Sequence, residues 1–81
     1  MKQVNINFEV LIPYKIVDII SLIMGERSLN FTDALRYLYE SKLYNLLSDE
    51  STKLWHLSSE KLFDILEHEK QHNQLELPDF V

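Results

Sequence analysis

The stretch that decides how this chain folds is Asn30-Phe-Thr-Asp-Ala-Leu-Arg-Tyr-Leu-Tyr-Glu-Ser-Lys-Leu-Tyr-Asn-Leu-Leu47, the strongest helical signal in its 81 residues. Asn30 is a good N-cap, Asp33 places a negative charge at the positive end of the helix, and Arg36 can pair with Asp33 or Glu40 at helical spacing. At 100° per residue, Phe31, Ala34, Leu35, Leu38, Tyr39 and Leu46 form a broad stripe for a small core to bury. Tyr37 and Tyr44, with Ser41 between them, lie on a second side that one small core cannot also cover. The reading is a central helix over 30–47 with an outer tyrosine stripe facing a protein partner.

On the C-terminal side, Ser48-Asp49-Glu50-Ser51 is polar and turn-prone. Thr52 to Leu57 follows, in which Lys53, Trp55 and Leu57 alternate with Leu54 and His56 as in a short strand. Ser58 reads as the N-cap of a further helix, with Glu60 in its first turn and Leu57 and Leu62 spaced as a hydrophobic staple. Leu62, Phe63, Ile65 and Leu66 anchor two turns of it, after which Glu67 to Gln74 is polar on every side and is expected to project into solvent or be held by a partner. The tail regains Leu75, Leu77, Phe80 and Val81 around Pro78, which suits a docking arm.

On the N-terminal side, Pro13 fits the first position of a helix running to about Met24, and Gly25 is expected to end it. Ile16, Val17, Ile19, Ile20, Ile23 and Met24 make its wide apolar face, with Lys15, Asp18 and Ser21 on a narrow polar one. Before it, Val4, Ile6, Phe8 and Val10 alternate with Gln3, Asn5, Asn7 and Glu9, a strand pattern that needs a pairing partner either in Thr52 to Leu57 or in a second copy of the chain. The expected fold class is therefore mainly α, a short N-terminal β-strand followed by three helices in a small bundle.

A chain of this length makes one domain, taken as 1–81, with a thin stability margin. It has no cysteine, so neither disulfides nor thiolate metal sites are available, which fits a reducing, cytoplasmic setting. Val10 to Met24 is too short and too often interrupted by polar residues for a membrane span. The net charge of −5 is unevenly placed. Residues 1–47 carry five cations against five anions, whereas 48–81 carry three against eight, so the excess is C-terminal and is compatible with docking on a basic protein surface.

Motifs for chemistry are few. His68-Glu69-Lys70-Gln71-His72 matches H-E-x-x-H, but only nine residues follow and none supplies an obvious third ligand or a cleft, so a solvated helix end is the favoured reading. His56 has no nucleophile beside it, and a single glycine excludes a glycine-rich phosphate loop. No cofactor, metal or catalytic residue is assigned, and the chain is read as a non-enzyme.

The order strand, helix, turn, helix over residues 3–47 resembles a ribbon-helix-helix module. The resemblance implies a homodimer whose paired strands turn Gln3, Asn5 and Asn7 towards DNA bases, with a phosphate near Ser28 to Asn30; Glu9 on the same face and the neutral charge of this half depart from it. Residues 34–55, Ala34-Leu-x-x-Leu-Tyr39-x-Ser41-x-x-Tyr44-x-x-Leu47 followed by Thr52-x-Leu54-Trp55, are similar to small bacterial antitoxins of toxin-antitoxin loci. That likeness implies a non-enzymatic protein that neutralises a partner, such as a basic toxin, and the tyrosine stripe, the acidic helix and the apolar tail make Tyr37, Tyr44, Glu67, Glu69, Leu75, Leu77 and Phe80 the expected partner-binding residues. A DNA-binding regulator and a phage-encoded inhibitor of a host factor are the alternatives.

Overall fold

The computed structural model describes residues 8–77, and among them it contains four α-helices, two 3-10 turns and no strand. Helix α1 spans Phe8–Arg27, α2 Phe31–Tyr39, α3 Lys42–Leu47 and α4 Ser59–His72, with the 3-10 turns at Glu50–Thr52 and Leu54–His56. The shortest dimension of the molecule is 17 Å. That is too thin for a third layer of helices, each 10–12 Å across, so every helix keeps one side towards water.

Helix α1 is the spine, and it differs at both ends from the helix expected between Pro13 and Met24. It begins at Phe8, so Phe8, Glu9 and Val10 are helical, which corrects the expected strand over Val4–Val10; Val4 to Asn7 lie outside the described residues. Pro13 consequently sits inside the helix and leaves the Glu9 carbonyl without its usual donor. An interior proline costs about 3 kcal/mol, and what offsets it is packing: Phe8 meets Trp55 edge to face at 5.5 Å, and Leu11 and Ile12 join the core margin. Burying such side chains is worth about 1.5–3 kcal/mol each, enough to carry the helix through. At the other end Gly25 does not stop α1; Ser28 does, in the left-handed region at φ 56°.

The expected single helix over Asn30–Leu47 is two helices. Asn30 caps α2 as anticipated, its Oδ1 accepting from Asp33 N at 2.8 Å. The chain then breaks at Glu40 and Ser41. Ser41, buried, donates through Oγ to the Leu38 carbonyl at 2.6 Å and accepts from Tyr44 N at 3.0 Å, so it ends one helix and caps the next. Two further N–H groups, those of Lys42 and Leu43, donate to the Glu69 carboxylate at 2.7 and 3.0 Å. In an unbroken helix they would have bonded to Leu38 and Tyr39, and it is α4, far along the chain, that supplies the replacement acceptor.

Beyond α3, Thr52 Oγ1 donates to the Leu46 carbonyl and Trp55 Nε1 to that of Glu50. These bonds, with Lys53 left-handed at φ 60°, wind the segment expected as a strand into 3-10 turns that bury Leu54 and Trp55. Ser58 then caps α4 as read from the sequence, accepting from Lys61 N at 3.0 Å. The core gathers Ile19, Ile20 and Ile23 of α1, Ala34 and Leu38 of α2, Leu43 and Leu47 of α3, Leu54 and Trp55, and Leu62, Ile65 and Leu66 of α4. Among the described residues no helix is long and apolar enough to cross a membrane.

Candidate protein-docking face

The interior of this small fold is closed by a carboxylate network at the end of α4, where the sequence suggested a solvated arm. Glu69 is 7% exposed and holds the N-terminus of α3, where its charge also meets the positive helix end. Glu67 accepts from Tyr37 Oη at 2.8 Å and pairs with Arg27. Tyr37 is further enclosed by Lys70 Nζ, 4.4 Å above its ring, and Arg27, 5.7 Å from the centroid. Burial, reinforced by the bond to Glu67, pushes the Tyr37 phenol up to about 12. The bond to Glu67 likewise raises the already high pKa of the Arg27 guanidinium.

Tyr37 and Tyr44 therefore do not form the expected outer stripe. The break at Ser41 sends them to different places, because the continuous helical periodicity that would align them no longer holds. Tyr37 faces α4, and Tyr44 lies beside Tyr39, ring centroids 4.5 Å apart. Burial beside Tyr44 raises the pKa of Tyr39. Leu75 is half-buried against the core and Leu77 is exposed, while Phe80, Gln3, Asn5 and Asn7 lie outside the described residues. At the phosphate position implied by the ribbon-helix-helix likeness, Asn30 already takes the N–H of Asp33.

The H-E-x-x-H residues are dispersed by the same geometry. His68 and His72 stack with ring centroids 4.2 Å apart, and His68 Nε2 lies 3.6 Å from Glu76. Glu69, which the motif would use as general base, points the other way, into the cap of α3. Among the described residues no group of three or more His, Cys, Asp or Glu side chains is arranged to hold a metal ion.

What the sequence reading missed is on α1. Tyr14 is 66% exposed, Val17 60% and Met24 36%, and with Val10 and Ser21 they fall at alternating spacings of four and three along one side of the helix. The signal was present as that spacing. It was hidden because α1 is apolar on nearly every side, and the inward row of Ile12, Ile16, Ile19 and Ile23 accounts for the core by itself. Beside the outer row runs a groove of about 460 Å³ between α1 and the α2–α3 bend, lined by Phe8, Ile12, Ile16, Val17, Tyr39 and Tyr44. Among the described residues no charged side chain lines it. Tyr14, Val17, Met24 and Tyr39 keep on the order of several hundred Å² of side chain in water, the size at which an apolar patch marks an interaction surface.

Comparison of the chain with protein-family models, with curated proteins and with solved structures gives no match. The functional reading accordingly rests on the geometry and chemistry of this face.

Proposed function

We propose that this protein is a non-enzymatic binding module of the antitoxin kind, which holds a partner protein against the outer side of α1 and the groove next to it. The observation that supports this is the uncharged row Tyr14, Val17, Ser21 and Met24 on the helix around which the rest of the molecule is built. Outside its polar positions α1 is apolar on more than one side, and this chain buries only one of them. Tyr44, one of the residues expected to meet a partner, lines the groove. Glu67 and Glu69 act within the chain, so the docking surface proposed is α1 and not the acidic end of α4.

Photo-crosslinking in the source cell tests the reading. A crosslinking amino acid at position 14 is expected to capture a single stoichiometric protein, and one at the exposed position 71 on α4 is not. Val17→Asp should abolish the adduct from position 14 while the circular dichroism of the chain is unchanged. Equal labelling from both positions, or an adduct that survives Val17→Asp, would remove α1 as the docking face. Self-association through the same face is the competing arrangement, and an adduct of twice the chain mass reports it.

A further inference from the structure

The two edges of the α1 face differ in charge. Both cations of α1 are engaged within the molecule, Lys15 Nζ donating to the Leu57 carbonyl at 2.7 Å and Arg27 pairing with Glu67. The carboxylates of the helix, Glu9, Asp18 and Glu26, lie on exposed residues. Asp18 stands at the edge of the row nearest α4, where it lines with Ser21, Leu22, Ser59 and Glu60 a shallow depression of about 340 Å³; its Oδ2 accepts from Ser59 Oγ at 3.2 Å. The opposite edge is the uncharged groove beside Tyr39 and Tyr44. Anything lying along α1 thus meets apolar surface on one side and two carboxylates on the other.

The row itself is shaped for a helix. Ser21 and Gly25 are one turn apart on it, and the position where a Cβ of Gly25 would stand is open space, so a neighbouring backbone can come close there. Tyr14 and Val17 project on the N-terminal side of this gap.

Resting on the reading of α1 as a docking face, we infer that its occupant is an amphipathic helix of another protein, with an apolar row at helical spacing and Lys or Arg along one flank. The apolar row lies in the groove against Val17, Tyr39 and Tyr44, and the basic flank passes over Asp18 and Glu60. A second copy of this chain is the weaker fit. An antiparallel pair of α1 helices sets the two acidic edges side by side, and a parallel pair sets each acidic edge against an uncharged groove. In neither arrangement does the partner's α1 offer an unengaged cation to Asp18, because Lys15 and Arg27, the cations of that helix, are already used.

The test uses the full chain and three designed helical peptides that share one leucine row and differ only in the flanking residues, which are Lys and Arg, Gln, or Glu. Fluorescence anisotropy is read at low and moderate salt. The basic peptide is expected to bind about ten-fold tighter than the Gln peptide, the Glu peptide weakest, with the differences shrinking as salt screens them. The double charge reversal Asp18→Lys, Glu60→Lys should invert that order, and Val17→Asp should weaken all three peptides together. If the three bind alike and all respond to Val17→Asp, the partner chemistry is wrong and the docking face stands. If Val17→Asp changes none of them, basic-peptide binding reflects net charge alone and both readings fall. A wild-type dimer in sedimentation equilibrium that Val17→Asp dissociates would overturn the inference in favour of a second copy.

Discussion

The outer row of α1 and the last turns of α4 handle opposite groups in opposite ways. On α1, Tyr14 and Val17 leave most of their apolar surface in water. On α4, Glu69 takes a carboxylate almost out of water and satisfies it with two backbone N–H groups. Removing a charge from water costs several kcal/mol, and two charge-assisted bonds of about 1.5–3 kcal/mol each are what make that position tolerable. Both oxygens of Glu69 are therefore engaged within the chain. The α1 row is incomplete, and at about 25 cal/mol per Å² its exposed surface represents on the order of 10 kcal/mol of gross stabilisation open to a partner. Association itself costs about 4–15 kcal/mol, so a complex held by the row alone would be weak, and under the proposed docking charge at its edge would select the partner.

The contrast is broken most severely at Glu69. Glu69→Ala leaves the N–H groups of Lys42 and Leu43 without an acceptor in a buried place, and a loss of about 3 kcal/mol is expected. For a domain of this size that lowers Tm by more than ~10 °C, measurable by differential scanning calorimetry. Glu69→Gln, which keeps one carbonyl acceptor, should recover part of the loss; equal melting of the Ala variant and the parent would mean that water caps α3 as well as Glu69 does.

A smaller effect is expected at Tyr37. Tyr37→Phe removes the bond to Glu67 while keeping the ring under Lys70, at a cost of about 1 kcal/mol near neutral pH. The phenol also makes stability depend on pH. Its folded pKa, about 12, lies above the ordinary value of 10.0, so the folded state holds the proton more tightly. The stabilisation is complete below pH ~10 and is lost as pH rises towards ~12. Melting curves from pH 9 to 12 should fall more steeply for the parent than for Tyr37→Phe, and parallel curves would place the phenol proton elsewhere.

On the other side of the comparison, Val17→Asp should change stability by less than about 0.5 kcal/mol, since the side chain is already in water and leaves no cavity. A loss of several kcal/mol in urea unfolding would show that Val17 belongs to the core and that the outer row is not a free surface. The smallest effect is a gain. Gly25→Ala adds a methyl to open space inside a helix, and about 0.5–1 kcal/mol of added stability is expected; destabilisation would mean that the backbone there is not helical in solution.

Local signals in the sequence carried the caps and little of the long-range architecture. Asn30 and Ser58 cap the helices assigned to them, because a cap depends on residues three positions away. The break at Ser41 was not legible. Serine is compatible with a helix interior, and the break that Ser41 makes through its own bonds is completed by a carboxylate 26 and 27 residues further on. Pro13 misled for the same reason: its rule is local, and Phe8 against Trp55 is not. Composition makes the polar run from Glu67 solvent-facing or partner-held, yet Glu69 is held in the interior by the amides of α3 and Glu67 by Tyr37 and Arg27. On α1 the outer row is legible as a spacing, but a helix with two apolar sides does not say which of them faces the core.

The dependence of α3 on Glu69 also orders events in time. During synthesis, a chain that has emerged as far as Leu47 contains every residue of α2 and α3 and lacks the carboxylate that separates them. Its local preferences, Ala34, Leu35, Leu38 and Leu46 at helical spacing, favour one straight rod. Glu69, which accepts hydrogen bonds from the Lys42 and Leu43 amides at the bend, belongs to α4 and is translated later. The groove beside Tyr39 and Tyr44 borders that bend, so the concave side of the N-terminal half depends in part on a residue encoded near the opposite end of the chain.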